Sequence, residues 1–325
     1  MTAQYGLSIA AHQPRLGKLC ARFSRVAAHH PYAWFRQPRS AAEIATVTPQ
    51  NRLVGFPYPK YRNAIMEVDQ SAALLMTSVG AARQLGIDPS RWVYLWGCGD
   101  AQDLWFVSER VNYHSSPASR AAGEQALGMA GVTIGDIERF DLYSCFPSAV
   151  QIGRDMLGIR ADDARPLTVS GGLPYHGGPG NNYMTHAIAT LMAQLRAAPG
   201  DKGLVTGLGW YLTKHSVGIY SGAPPPRRWR RHVPDHDQAG LDSMPHPPLA
   251  TTPQGRGVIE TYTVLHDRGG APIRGIIVCR LDDGRRFIAN TPDDRGVYDG
   301  LMAQEGIGRP GAVSSRDGMN VFTPT

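Results

Sequence analysis

RFDLYSC at residues 139–145, PSAVQIGRDMLG at 147–158, NYMTHAIATLMAQLRAA at 182–198, KGLVTGLGW at 202–210 and HSVGIYS at 215–221 follow one another within 83 residues, and their order decides the fold. The first is a short apolar run of strand type. The second opens with Pro at the first helical position, and the third has the length and apolar spacing of a helix. Residues 165–170 read as a further strand, and the last two segments as a strand pair. Strand and helix alternating in this way predict a layered α/β domain, with helices packed against a mostly parallel sheet.

Working upstream, WVYLWGCG (92–99) reads as a strand running into a glycine turn, and Ser116-Pro117 as an N-cap opening a helix to about Gly131. From Val68 to Gly86 the sequence predicts a helix apolar on nearly all sides, and therefore buried. Leu16, Leu19, Phe23 and Val26 place an amphipathic helix at about 13–29, followed by a loop with Pro31, Pro38, Pro49, Pro57 and Pro59. Downstream the character changes. GAPPPRRWRRHVPDHDQ (222–238) reads as a Pro/Arg-rich linker or arm. Beyond it, residues 257–267, 272–284 and 285–291 alternate apolar and polar between Gly/Asp turns, which predicts a small, barrel-like antiparallel β-domain.

Composition sets the outer limits. With 325 residues, 42% hydrophobic, 18% charged, 37 Gly and 25 Pro, the chain is globular and loop-rich, with length for about two domains. Lys+Arg 33 against Asp+Glu 27 leaves +6, four of the cations falling at Arg227, Arg228, Arg230 and Arg231, so no general nucleic-acid surface is expected. Cys20, Cys98, Cys145 and Cys279 form no C-x-x-C pair, no leader pattern opens the sequence and no stretch has membrane-span length. The expectation is a cytoplasmic protein with reduced thiols and no membrane association.

The richest motif is SGGLPYHGGPGNNYMTH (170–186), between a strand and a helix. Gly171, Gly172, Gly177, Gly178 and Gly180 let backbone amides approach a ligand, although a flexible connection has the same composition. It is neither a P-loop nor a Rossmann fingerprint, and no G-x-S-x-G supports an esterase. Tyr143, Ser144 and Cys145 end a strand, where α/β sheets place chemistry. Cys145 is a candidate nucleophile or a buried small hydrophobe. Lys214 and His215 occupy a turn that can face the same crevice. His232 and His236 lack a metal-site pattern, so no metal is expected. The 224–232 run can bind phosphate through arginine, or be a solvated linker.

These pieces resemble the thiolase superfamily, in particular its thiolase-like protein type 1 group, whose members look like a thiolase followed by an extra C-terminal β-domain. Residues 51–78 resemble the end of a thiolase N-terminal half. Residues 116–146 resemble the start of the C-terminal half with its N-E-A-F box, 168–186 the G-H-P loop, and 203–221 the final C-x-G strand–turn–strand. The resemblance implies a helical and loop segment over 1–60, a thiolase-like α/β domain over 61–222, a Pro/Arg-rich linker over 223–250 and the additional β-domain over 251–325. It also implies acetyl-CoA acetyltransferase-like chemistry of lipid metabolism, with CoA or an acyl-CoA as ligand rather than a resident cofactor.

The departures from the thiolase pattern are specific. The nucleophilic cysteine of thiolases belongs to an N-terminal half that no residue here matches. Tyr143 and Ser144 stand for Asn and Glu, Gly178 falls on the catalytic His with His176 two residues earlier, and Gly207 replaces the second cysteine. Two readings follow. One is an acyltransferase working through His176, Cys145 and His215, or with a partner chain supplying the N-half. The other is a non-catalytic CoA-binding protein or partner subunit, impaired because Claisen chemistry needs thiolate, proton shuttle and oxyanion site together. In either, CoA lies against Ser170, Gly171, Gly172, Gly177, Gly178, Asn181 and Asn182, with Tyr143, Ser144 and Lys214 near its thiol end. An uncovered apolar helix at 68–86 implies a homodimer or a complex with a thiolase N-half.

Overall fold

The computed structural model describes residues 1–231, 233 and 235–325, the side chains of Asp235 and His236 excepted. Helices are α1 (Ile9–His29), α2 (Ala41–Ala45), α3 (Val79–Gln84), α4 (Pro117–Ala130), α5 (Pro147–Met156), α6 (Tyr183–Ala197), α7 (Asp235–Asp242) and α8 (Arg295–Ala303). Strands are β1 (Leu53–Gly55), β2 (Tyr58–Pro59), β3 (Tyr94–Gln102), β4 (Arg139–Asp141), β5 (Lys202–Gly209), β6 (Lys214–Ser221), β7 (Gly255–His266), β8 (Pro272–Leu281), β9 (Arg286–Asn290), β10 (Pro310–Arg316) and β11 (Met319–Pro324).

The layered α/β part is built on the sheet β3-β6-β5-β4. Only β4–β5 is parallel; β3–β6 and β5–β6 are antiparallel, so the expected mostly parallel sheet is a mixed one. The tight turn at 210–213 is the cause, since a connection this short can only join antiparallel neighbours. Helix α4 packs on β3 at Gly97 and Gly99, where a Cβ on Gly99 would lie 2.8 Å from the Gln125 side chain. Ser116 caps α4 by accepting from the Ser119 amide, Pro117 fills the first turn, and Gly131 ends the helix in the left-handed region. Helix α1 buries Leu16, Cys20, Phe23 and Ala27, the last three beside the loops that follow β4.

Two expected elements are absent for local reasons. Residues 165–170 make no strand ladder, because the buried Asp141 carboxylate takes the amides of Val169 and Ser170 that a neighbouring strand would need. The long helix from Val68 to Gly86 shrinks to α3, with Ser78 as its cap. Leu75 and Met76 are 76% and 82% exposed, and an all-apolar helix is stabilised by burial that this surface does not supply.

The second part is a closed barrel ordered β7-β8-β9-β11-β10, with β10 pairing back to β7 and α8 between β9 and β10. One pair, β9–β11, is parallel and the rest antiparallel, the arrangement of an OB-type barrel. Hairpin β1–β2, from the N-terminal segment, extends this sheet through β7. The Pro/Arg-rich stretch includes α7, whose Gln238 side chain bonds both backbone groups of Gln102 at the end of β3. Of the two linker histidines read for metal, His232 and the side chain of His236 lie outside the described residues. If 223–250 separates two folded parts, brief trypsin treatment cuts first among Arg227, Arg228 and Arg230, giving fragments of about 25 and 10 kDa by mass spectrometry at ~110 Da per residue. First cuts inside 61–222 contradict that division.

Candidate functional site

Asp141, at the end of β4, organises the glycine loop. Its Oδ2 accepts from Thr168 Oγ1 (2.9 Å), Ser170 Oγ (2.9 Å) and the amides of Val169 and Ser170, and its Oδ1 from the Tyr183 hydroxyl (2.8 Å). Burial pushes the Asp141 carboxyl upward, against these donors. Ser170 is thereby part of an internal network. Gly171 and Gly172 follow with φ of 108° and 78° and lie against Ala27 and Phe23 of α1. Residues 167–178 are buried throughout, and the loop surfaces only at Gly180 and Asn181.

The segments read as a site converge in part. The Tyr143 amide donates to Thr206 Oγ1 at 2.9 Å, joining the end of β4 to β5 one residue before Gly207. Tyr143, Thr206, Gly207, Leu212, His215 and Ser216 line one small cavity. The Tyr143 ring meets Tyr183 edge-on at 5.6 Å, and Tyr183 meets His176 at 6.0 Å, so aromatic contacts link the first box to the glycine loop. Ser144 turns elsewhere, its Oγ accepting from the Leu173 amide, and it lines a different cleft with Arg62 and Cys20. Lys214 is exposed at the start of β6, and Asn182 bonds the His186 ring at 3.3 Å. Gly177 lies under Gln70 and Gly178 between Leu173 and the Ile65 carbonyl.

Among the described residues no hydrogen bond joins any two of the three candidate catalytic groups. Burial pushes the Cys145 thiol up to about 11, so about one molecule in 10⁴ carries a thiolate at neutral pH. His176 is fully buried, its pKa is lowered by burial, and its Nε2 has no hydrogen-bond partner. His215 belongs to a group the sequence reading did not assemble. Ser116 Oγ lies 3.1 Å from His215 Nε2, Ser116 hydrogen-bonds Asp103, and His215 Nε2 is 3.1 Å from the Leu212 carbonyl. His215 Nε2 also lies 3.6 Å from Asp103 Oδ2, so Ser116, Asp103 and the Leu212 carbonyl all crowd one ring nitrogen instead of forming a relay from Ser through the two ring nitrogens to Asp. Read from sequence, Ser116 was a helix cap, which it also is. His30 and His186, missed as well, stack edge-on against His176 at 4.9 and 5.4 Å, and only α1 and α6 folding onto the loop bring them there. Among the described residues no group of His, Cys, Asp and Glu is placed to hold a metal, and no helix is long and apolar enough to cross a membrane.

A four-stranded α/β layer carrying the three boxes, followed by a barrel, is a thiolase-like architecture. The family model for the thiolase-like protein type 1 additional C-terminal domain matches residues 238–318. A solved structure, a monomeric SCP2-thiolase-like protein type 1 from Mycobacterium smegmatis, is 41% identical with a TM-score of 0.92, covering 98% of this chain and 69% of that one. The chain belongs to the SCP2-thiolase-like protein type 1 family. The Ltp2-ChsH2(DUF35) aldolase shares the fold at 19% identity and a TM-score of 0.51, over 68% of this chain and 60% of that one. No curated protein matches.

Proposed function

We propose that this chain binds CoA or an acyl-CoA without thiolase turnover of its own. The observation that carries the reading is the meeting of Tyr143 with Thr206 and Gly207, which joins two thiolase boxes around a cavity holding neither a thiolate nor a proton-shuttling cysteine. Cys145, the one thiol adjoining that strand end, is held protonated, and Gly178 and Gly207 cannot move protons. What the chain retains at this place is a small cavity with Tyr143, Thr206 and His215 in its lining, polar groups suited to a thioester.

The second reading keeps acyltransferase activity in an assembly. Tyr32, Met66, Leu75 and Met76 are exposed apolar groups that a thiolase N-half or a second copy can cover. The relative from M. smegmatis is a monomeric protein, which counts against a homodimer.

Calorimetric titration of CoA and acetyl-CoA, with an acetoacetyl-CoA thiolysis assay, tests both. Binding weakened about tenfold or more by Tyr143→Ala, with thiolysis about 10³-fold or more below that of a working thiolase, is the expected result. No binding to the wild type refutes the reading, and robust thiolysis abolished by Cys145→Ala replaces it with catalysis through Cys145.

A further inference from the structure

We propose that the C-terminal barrel is an internal clamp on the β5–β6 turn, acting through Arg286 and Arg110 as positioning residues. The turn needs holding. Trp210 and Leu212 sit at φ of 60° and 55°, a conformation that side-chain-bearing residues keep only where their surroundings over-determine it. Arg110 supplies that restraint. Its Nη1 donates to the Leu212 carbonyl (2.7 Å), and its Nη2 to the Tyr211 carbonyl (3.0 Å) and Thr213 Oγ1 (2.7 Å), while its Nε holds the Leu104 carbonyl (2.6 Å). The Asp103 amide adds a bond to the Thr213 carbonyl at 2.9 Å. One planar guanidinium thus fixes three consecutive residues of the turn, a task a lysine ammonium, as a point charge, cannot share out.

Arg110 is in turn held from the barrel. Arg286, the first residue of β9, is fully buried, and its Nη1 donates to the carbonyls of Ser108 (2.9 Å) and Arg110 (2.5 Å). Its Nε is paired with Glu260 of β7 at 2.6 Å, Glu260 also takes Arg280, and the guanidinium lies 4.9 Å over the Tyr113 ring. The barrel therefore reaches the cavity lined by Leu212 and His215 through two guanidiniums in series. A domain merely appended to the chain would not need its one fully buried arginine of β9 spent on carbonyls of the other domain. This role goes beyond the CoA reading and does not depend on it.

The test uses the full chain with Arg286→Lys, Arg110→Lys and the double variant. Hydrogen exchange is read on peptides covering 103–113 and 207–216, with thermal unfolding for the fold and the fluorescence of Trp105 and Trp210, whose rings meet at 6.2 Å, for the turn. Each single variant is expected to speed exchange in the turn about tenfold or more while the unfolding midpoint of the α/β part stays put. The double variant is expected to match the worse single, because the two act in one chain of contacts. Unchanged turn exchange in Arg286→Lys, or effects of the two that multiply, overturns the clamp. If Arg286→Lys does not fold, Glu260→Gln, which keeps both guanidiniums and loosens one, must show the same local increase, and its absence counts against the proposal. In a parallel titration, a wild type that fails to bind CoA refutes the ligand reading and leaves the exchange result standing.

Discussion

Urea unfolding is expected to show the protein less stable at pH 5 than at pH 7, with His12 and His30 contributing about 2 kcal/mol each. Both are buried, and burial is the main cause that lowers each to about 4 from the usual 6.5. Nearby positive charge adds to it, from the N-terminus, Arg62 and Arg15 for His12, and from His176, His186 and Arg36 for His30. Hydrogen bonds fix the neutral forms. Gln151 Nε2 is 3.0 Å from His12 Nε2, and the Tyr32 amide donates to His30 Nδ1. Between pH 6.5 and 4 the unfolded chain therefore binds protons that the folded chain refuses, so stability is present above the unfolded pKa and is lost as pH falls through this window. His30→Asn should reduce the pH dependence by about 2 kcal/mol. A stability that stays level from pH 7 to 5 contradicts the buried neutral pair.

Gly171→Ala is expected to cost more than about 3 kcal/mol, or to prevent folding, while Gly180→Ala in the same loop costs about 1 kcal/mol. At Gly171 a methyl would lie 2.6 Å from Ala27 Cα and 2.7 Å from its backbone nitrogen, and neither a rotamer change nor a flexible side chain can relieve a clash with helix backbone. The φ of 108° adds strain of its own. Gly180, at φ 56°, has nothing within 4 Å, so only the left-handed conformation is charged to alanine. Midpoints from urea titration of the two variants give the comparison. Equal small losses would mean that the loop stands off α1, free to admit a ligand along its whole length, instead of being packed by it.

The boundary between what was legible and what was not follows range of interaction. Helix α4 is legible in the sequence because Ser116, Pro117 and Gly131 act within a turn of themselves. The alternating patterns of β7, β8 and β9 survived because each strand has one face in the barrel core. Residues 165–170 have strand-like composition but form no strand, because a carboxylate 27 to 29 residues away in sequence takes their donors. The helix at Val68–Gly86 was overestimated because apolar content says that a segment gains from burial, not that anything is there to bury it.

The sequence by itself determined the class of fold, which rests on local pattern that each segment carries alone; the thiolase-like order of the segments, and Tyr143, Ser144, Gly178 and Gly207 as stand-ins for thiolase residues, are what the resemblance to that family implies. Tertiary structure decided the rest. It turned Ser170 and Ser144 inward to satisfy buried donors and acceptors, gathered His30 and His186 around His176, and set Arg286 of the barrel on the backbone of Ser108 and Arg110. Those placements join residues up to 178 positions apart, and no local propensity encodes a contact whose partner arrives only when both domains have closed on each other.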